Sequence, residues 1–143
     1  MSAAAYSRAC QMDRTKLKAA IVERLDASAA PHKIGHEQTN ANRYVLRSAK
    51  GTSVEIMFEK GGTGNANVWV LSDLVGSIPT GRIEQRQYRA KSLNSLQNAK
   101  GKTIYGRHSG LRSMEQLGNA DVTRFTLASV AELDQIIAVL RAA

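Results

Sequence analysis

The chain has 143 residues, with 20 Lys and Arg against 12 Asp and Glu, and its formal net charge is +8. Hydrophobic residues make up 43% and charged residues 22%, which is typical of a globular domain and excludes disordered, collagen-like and disulfide-framework proteins. Single domains commonly have about 100–200 residues, so we expect one domain over residues 13–143. Cys10 is the only cysteine and cannot form an intrachain disulfide, which favours a reducing, cytoplasmic or nucleoid-associated location.

Residues 1–12 are predicted to be a flexible N-terminal leader. They are rich in Ala and Ser and lack the continuous apolar centre of a signal peptide. The stretch has one Arg and no acid, so a transit peptide stays open as an alternative. No apolar run in the chain reaches the roughly 20 residues of a membrane span, and no membrane partner is expected.

The first predicted element is a helix over residues 15–27. Leu17, Ile21 and Leu25 recur every four residues and define one apolar face. Pro31 follows shortly afterwards, and the residue before a proline disfavours helical geometry.

Three strands are predicted next, at residues 43–47, 52–59 and 67–71. In the second of them, apolar side chains occupy every other position from Val54 to Phe58, which is the period of a half-buried strand. Glycine-rich turns join the three runs, and such short connections indicate an antiparallel meander.

The segment from residue 76 to 110 is broken by several glycines and is hard to assign. A short helix over residues 90–98 and a short strand over residues 102–105 are the expected elements. Segments of this length without regular structure are often functional in compact domains.

The C-terminal part has clearer patterns. A short helix is predicted over residues 110–117 and a strand over residues 122–127. Ser129 and Glu132 have the spacing of a capping box at the start of a last helix that ends near residue 141. The predicted fold class is therefore α+β: a mostly antiparallel sheet, formed by a three-stranded meander and a C-terminal strand, with N- and C-terminal helices on one face.

The positive charge is concentrated in one third of the chain. Residues 80–112 contain eight cations against Glu84 alone, a net charge of +7, whereas residues 1–79 have +3 and residues 113–143 have −2. Such a concentration predicts an anionic partner, and we expect this basic segment to contact the phosphates of DNA or RNA. The expected phosphate contacts are Arg82, Arg86, Arg89, Lys91, Lys100, Lys102, Arg107 and Arg112.

Aromatic side chains stand beside several of these cations. Tyr88 precedes Arg89, and Tyr105 and His108 flank Arg107, so Tyr88, Tyr105 and His108 are the candidates for base or sugar contacts. Three further cations would extend the surface if they shared its face, namely Arg43, Arg47 and Lys50.

Two other functions stay open. His108 lies between two glycines beside Arg107, so it is the one, weak, catalytic candidate for a metal-independent nuclease or phosphodiesterase. A second alternative is an interaction module that docks on an acidic protein.

Metal and cofactor chemistry has little support in the sequence. His32 and His36 have a spacing of four, but Pro31 and Gly35 argue against the helix that would place both imidazoles on one face. Glu55, Glu59 and Lys60 are arranged unlike a metal-nuclease triad, and we assign both carboxylates to the solvated side of a strand. We therefore expect no metal and no cofactor.

Overall fold

The computed structural model describes residues 3–79, 81–93 and 96–143, with side chains from Arg14 onward except that of Leu96. The helices are α1 (Ala3–Ser28), α2 (Ser72–Val75) and α3 (Val130–Ala142). The strands are β1 (Ala30–Pro31), β2 (Ala41–Arg47), β3 (Ser53–Glu59), β4 (Asn67–Leu71), β5 (Glu84–Tyr88), β6 (Leu96–Gln97), β7 (Thr103–Ile104) and β8 (Val122–Thr126). Within these residues, no helix is both long enough and apolar enough to cross a membrane.

Six strands form one antiparallel sheet in the order β1-β2-β3-β4-β8-β5, and β6 pairs with β7 in a separate hairpin. The predicted α+β class, the meander and the C-terminal strand are confirmed. The edge strand β5 is missing from the sequence prediction, because its residues, Glu-Gln-Arg-Gln-Tyr, are polar at every position but the last. A strand that is exposed along one edge has no need of the apolar alternation that identifies buried strands.

The first face of the sheet carries the main hydrophobic core. Phe58 and Phe125 pack there with Leu25 of α1 and with Leu133 and Ile137 of α3. Both terminal helices therefore cover the same face, as predicted. Helix α1 is longer than the sequence pattern indicates, since it starts at Ala3 within the expected leader.

The start of α3 has a variant of the expected capping box, in which the Glu132 carboxylate reaches the residue before the N-cap Ser129. The Ser129 hydroxyl accepts from the Glu132 backbone N–H at 3.3 Å, and the Glu132 carboxylate accepts from the Ala128 N–H at 2.7 Å. The Ser129 contact satisfies a backbone donor that the first helical turn leaves without a partner, and the Glu132 contact fixes the chain just before the helix.

Residues 105–118 cover the second face of the sheet, and the predicted helix over residues 110–117 is wrong. Only Ser109–Leu111 forms a single 3-10 turn, although Leu111, Met114 and Leu117 do point into the second cluster of buried residues. Gly118 explains the compact path, since a Cβ atom there would lie 2.6 Å from the Met114 carbonyl oxygen.

The predicted helix over residues 90–98 is also wrong. A 3-10 turn covers Ala90–Ser92, and Leu96–Gln97 pairs instead with Thr103–Ile104, which confirms the short strand expected there. Gly101 closes this hairpin with a φ of 78°, a conformation that favours glycine.

Glu55 holds residues 105–118, the covering segment, against the sheet. The prediction that Glu55 lies on a solvated strand face is therefore wrong. Its side chain is buried, and Oε1 accepts from the backbone N–H groups of Gln116 at 2.8 Å and Leu117 at 3.1 Å. Its Oε2 lies 2.6 Å from Nε2 of the buried His32. A buried carboxylate is stable only when partners of this kind replace its hydration.

We predict that Glu55→Ala lowers the free energy of unfolding by about 3–5 kcal/mol, because it leaves His32 and two backbone donors without their partner in the interior. Urea denaturation measures the change. Asp134→Asn is the control, because it breaks the exposed ion pair with Arg24 and should cost less than about 1 kcal/mol. Equal losses in the two variants would contradict the anchoring role of Glu55.

Candidate nucleic-acid interface

Seven of the eight cations in the basic segment are exposed. Arg82 lies in the turn before β5, at the far end of that strand from the others. The other six surround the C-terminal half of β5 and the β6–β7 hairpin, and we call them the basic surface: Arg86, Arg89, Lys91, Lys100, Lys102 and Arg112.

Backbone contacts hold the elements of the basic surface together. The Asp121 carboxylate accepts from the Ala90 N–H at 2.7 Å, which fixes the chain directly after β5. The Gly106 N–H donates to the Leu93 carbonyl at 2.8 Å and so joins the two ends of the hairpin segment. In the hairpin turn, the Asn98 side chain accepts from the backbone N–H groups of Lys100 and Lys102.

Arginine and aromatic side chains form a layer on the second face beside β5. Arg86 pairs in register with Arg124 of β8, so two like charges stand opposite each other. Tyr88 offsets the repulsion between these charges, because both guanidinium groups lie over its ring, at 4.9 Å and 5.7 Å from the centroid. The Tyr88 ring in turn contacts Trp69, with 4.9 Å between centroids.

Arg124 is the member of this layer that the sequence analysis missed. It is the single charged residue of β8 and lies in a segment of net negative charge, so nothing in the linear pattern marks it. Its guanidinium donates to the Tyr88 hydroxyl at 3.0 Å, whereas its buried Nε has no partner among the described residues. Trp69 is 3% exposed and belongs to the core of the second face.

Arg107 and Tyr105 are anchors of the covering segment. The Arg107 guanidinium is buried and donates to the carbonyls of Leu117 at 3.0 Å and Tyr88 at 3.3 Å. Its burial lowers the pKa of the guanidinium from its ordinary value. The Tyr105 hydroxyl donates to the Gly118 carbonyl at 2.8 Å, and burial raises the pKa of this phenol. Both side chains were expected to contact nucleic acid, and the structure places them in internal hydrogen bonds.

His108 lies apart from the basic surface, next to Glu59. Its Nδ1 accepts from the Gly110 N–H at 2.9 Å, and its Nε2 is 3.8 Å from Oε1 of Glu59. The other carboxylate oxygen, Oε2, accepts from Nε1 of Trp69 at 2.7 Å. The two residues line a cavity of about 200 Å³ together with Asn40, Gly61, Gly62, Thr63, Gly64 and Asn65.

The hydrogen bond at Nδ1 defines what His108 can do. A backbone N–H only donates, so Nδ1 is the acceptor and the neutral ring carries its proton on Nε2. In this geometry His108 is therefore a hydrogen-bond donor toward the cavity.

The cations on the first hairpin lie away from the basic surface. Strands β3, β4 and β8 lie between β2 and β5, so Arg47 and Lys50 lie on the other side of the sheet from β5. Arg43 is engaged locally, because it donates to the carbonyls of Gly110 at 2.9 Å and Gly35 at 3.1 Å.

The remaining histidines also make local contacts. His32 pairs with Glu55, and Nδ1 of His36 accepts from the Arg43 N–H at 2.9 Å. Burial and the nearby Lys60 lower the pKa of His36. The described part of the chain contains no group of three or more His, Cys, Asp or Glu side chains that could hold a metal ion.

Comparison with models of protein families, with curated protein sequences and with solved structures finds no match for this chain. Its function is therefore inferred from its own residues.

We predict that Arg107→Gln lowers the free energy of unfolding by about 1–3 kcal/mol, because buried carbonyls lose their donor. Arg82→Gln removes the same charge from an exposed turn and should change stability by less than about 0.5 kcal/mol. Urea denaturation of both variants checks the prediction. Similar stabilities would show that Arg107 has no anchoring role.

Proposed function

We propose that this protein binds nucleic acid through the basic surface. The carrying observation is the set of six exposed cations that follow one another from β5 through the β6–β7 hairpin to Arg112, in a segment whose single acid is Glu84. Lysine and arginine at such a surface replace the counterions of a phosphate backbone, and the release of those counterions drives binding.

Contacts with aromatic rings orient two of these cations for phosphate binding. The Arg86 guanidinium lies over Tyr88, and that of Arg112 lies 5.8 Å from the ring centroid of Tyr105. A guanidinium held against a ring loses less freedom when it binds a phosphate, while its N–H groups at the edge stay available. This arrangement supports phosphate contacts more strongly than free lysine side chains would.

The shape of the basic surface favours a polyanion over a small anion. Its cations extend from the middle of β5, through the 3-10 turn at Ala90–Ser92, to the turn of the β6–β7 hairpin. An extended series of charges matches the repeating phosphates of a strand of DNA or RNA. Both nucleic acids are included in the proposal, because phosphate contacts carry no sequence information.

We predict binding whose logarithmic affinity falls with the logarithm of the salt concentration, with a slope of about −4 for single strands if all six cations contact phosphates. Fluorescence anisotropy with labelled single-stranded DNA, duplex DNA and RNA measures the slope. The double variant Arg86→Gln and Arg89→Gln should make it shallower by about 1.5, because two contacts are lost.

The matched control is Arg47→Gln with Lys50→Gln, which removes the same charge from exposed positions across the sheet. It should leave the slope unchanged. Equal effects of both double variants would show that only net charge matters and would contradict a defined surface. Failure to bind any of the three nucleic acids at about 50 mM salt would overturn the proposal. Capture of one acidic protein from a nuclease-treated lysate would then favour the interaction-module alternative.

A further inference from the structure

We infer that the cavity between Glu59 and His108 accepts the hydrogen-bonding edge of a nucleobase. This inference rests on the proposed function and extends it, since it assigns a base-reading role to residues outside the basic surface.

The two side chains present opposite hydrogen-bonding polarity to the cavity. Oε1 of Glu59 is an acceptor and Nε2 of His108 is a donor, and their separation of 3.8 Å exceeds a direct hydrogen bond. Neither atom has another hydrogen-bond partner among the described residues. About one fifth of each side chain is exposed, so a ligand can reach both atoms.

Each group is also held in place by its other polar atom. Trp69 Nε1 fixes Oε2 of Glu59, and the Gly110 N–H fixes Nδ1 of His108. The acceptor and the donor are therefore oriented before a ligand arrives. Preorganised polar groups in a concave site are what provide selectivity in ligand pockets.

A nucleobase fits this polarity better than a phosphate does. The bases carry neighbouring donors and acceptors on their edges, which can engage a carboxylate and an N–H group side by side. A phosphate would meet the negative charge of Glu59 at the same point. Asn40 and Asn65 are also lining residues of this cavity, and amide side chains are donors and acceptors of the kind that bind base edges.

The cavity and the basic surface are connected through the second face. Glu59 bonds to Trp69, Trp69 contacts Tyr88, and Tyr88 lies under Arg86. In the inferred complex, the phosphates of a strand lie on the basic surface and one of its bases enters the cavity. Its phosphates would supply the affinity, and the cavity would supply the preference among bases.

The test compares short homopolymeric oligonucleotides of each base, as RNA and as DNA, by fluorescence anisotropy. We expect the wild-type protein to prefer one base over the weakest by about tenfold. Glu59→Gln should abolish or change this preference: when the Gln oxygen accepts from Trp69, an NH₂ donor replaces the acceptor in the cavity. His108→Asn should weaken the preference, because its side-chain oxygen can still accept from Gly110 but the ring N–H is lost.

Both variants should keep the wild-type salt slope, because neither residue belongs to the basic surface. Glu23→Gln is the control, since it removes an exposed carboxylate from α1 and should preserve the preference. Free nucleosides provide a second readout, because they carry no phosphate. They should produce a saturable change in the fluorescence of Trp69, the single tryptophan, in the wild-type protein and not in Glu59→Gln.

The outcomes separate the two proposals. Binding with a steep salt slope but equal affinity for all bases would overturn the base-reading site and leave the basic surface intact. A nucleoside response without oligonucleotide binding would support the cavity and overturn the basic surface. Cleaved strands on a denaturing gel, absent with both cavity variants, would overturn a pure binding role and make Glu59 and His108 catalytic residues.

Discussion

The buried carboxylate of Glu55 is the contact on which the rest of the second face depends. It receives two backbone N–H groups from the covering segment and the imidazole of His32, so one side chain joins three parts of the chain. The covering segment has no long helix to satisfy its own backbone, and Glu55 supplies acceptors that a helix would have supplied internally. This contact fixes the path of residues 105–118 and with it the positions of Arg107 and His108.

The path of the covering segment divides the cations of the basic segment into one buried arginine and seven exposed side chains. Arg107 is enclosed by the covering segment, and its donors satisfy carbonyls at Leu117 and Tyr88. The other cations of the basic segment are exposed to solvent, where they are available to phosphates. One buried arginine thus secures the end of β5, and the exposed cations on either side of it form the surface that we propose to bind nucleic acid.

Trp69 connects the two parts of the proposed interface. Its ring packs under the covering segment and against Tyr88, while its indole N–H orients Glu59. The same residue therefore supports the arginine layer on one side and the hydrogen-bonding cavity on the other. Its burial makes both arrangements rigid, since a packed indole has little freedom to change its orientation.

The sequence by itself determined the α+β class, the meander, the capped last helix and the concentration of charge, because each depends on local periodicity or composition. Only the tertiary structure decided three other matters. Strand β5 exists because β8 pairs with it. Residues 110–117 follow turns that end where Glu55 accepts from Gln116 and Leu117, and Arg107 is buried because the covering segment encloses it. The pairing of Glu59 with His108 joins positions 49 residues apart, and long-range contacts of this kind leave no periodic signal in the chain.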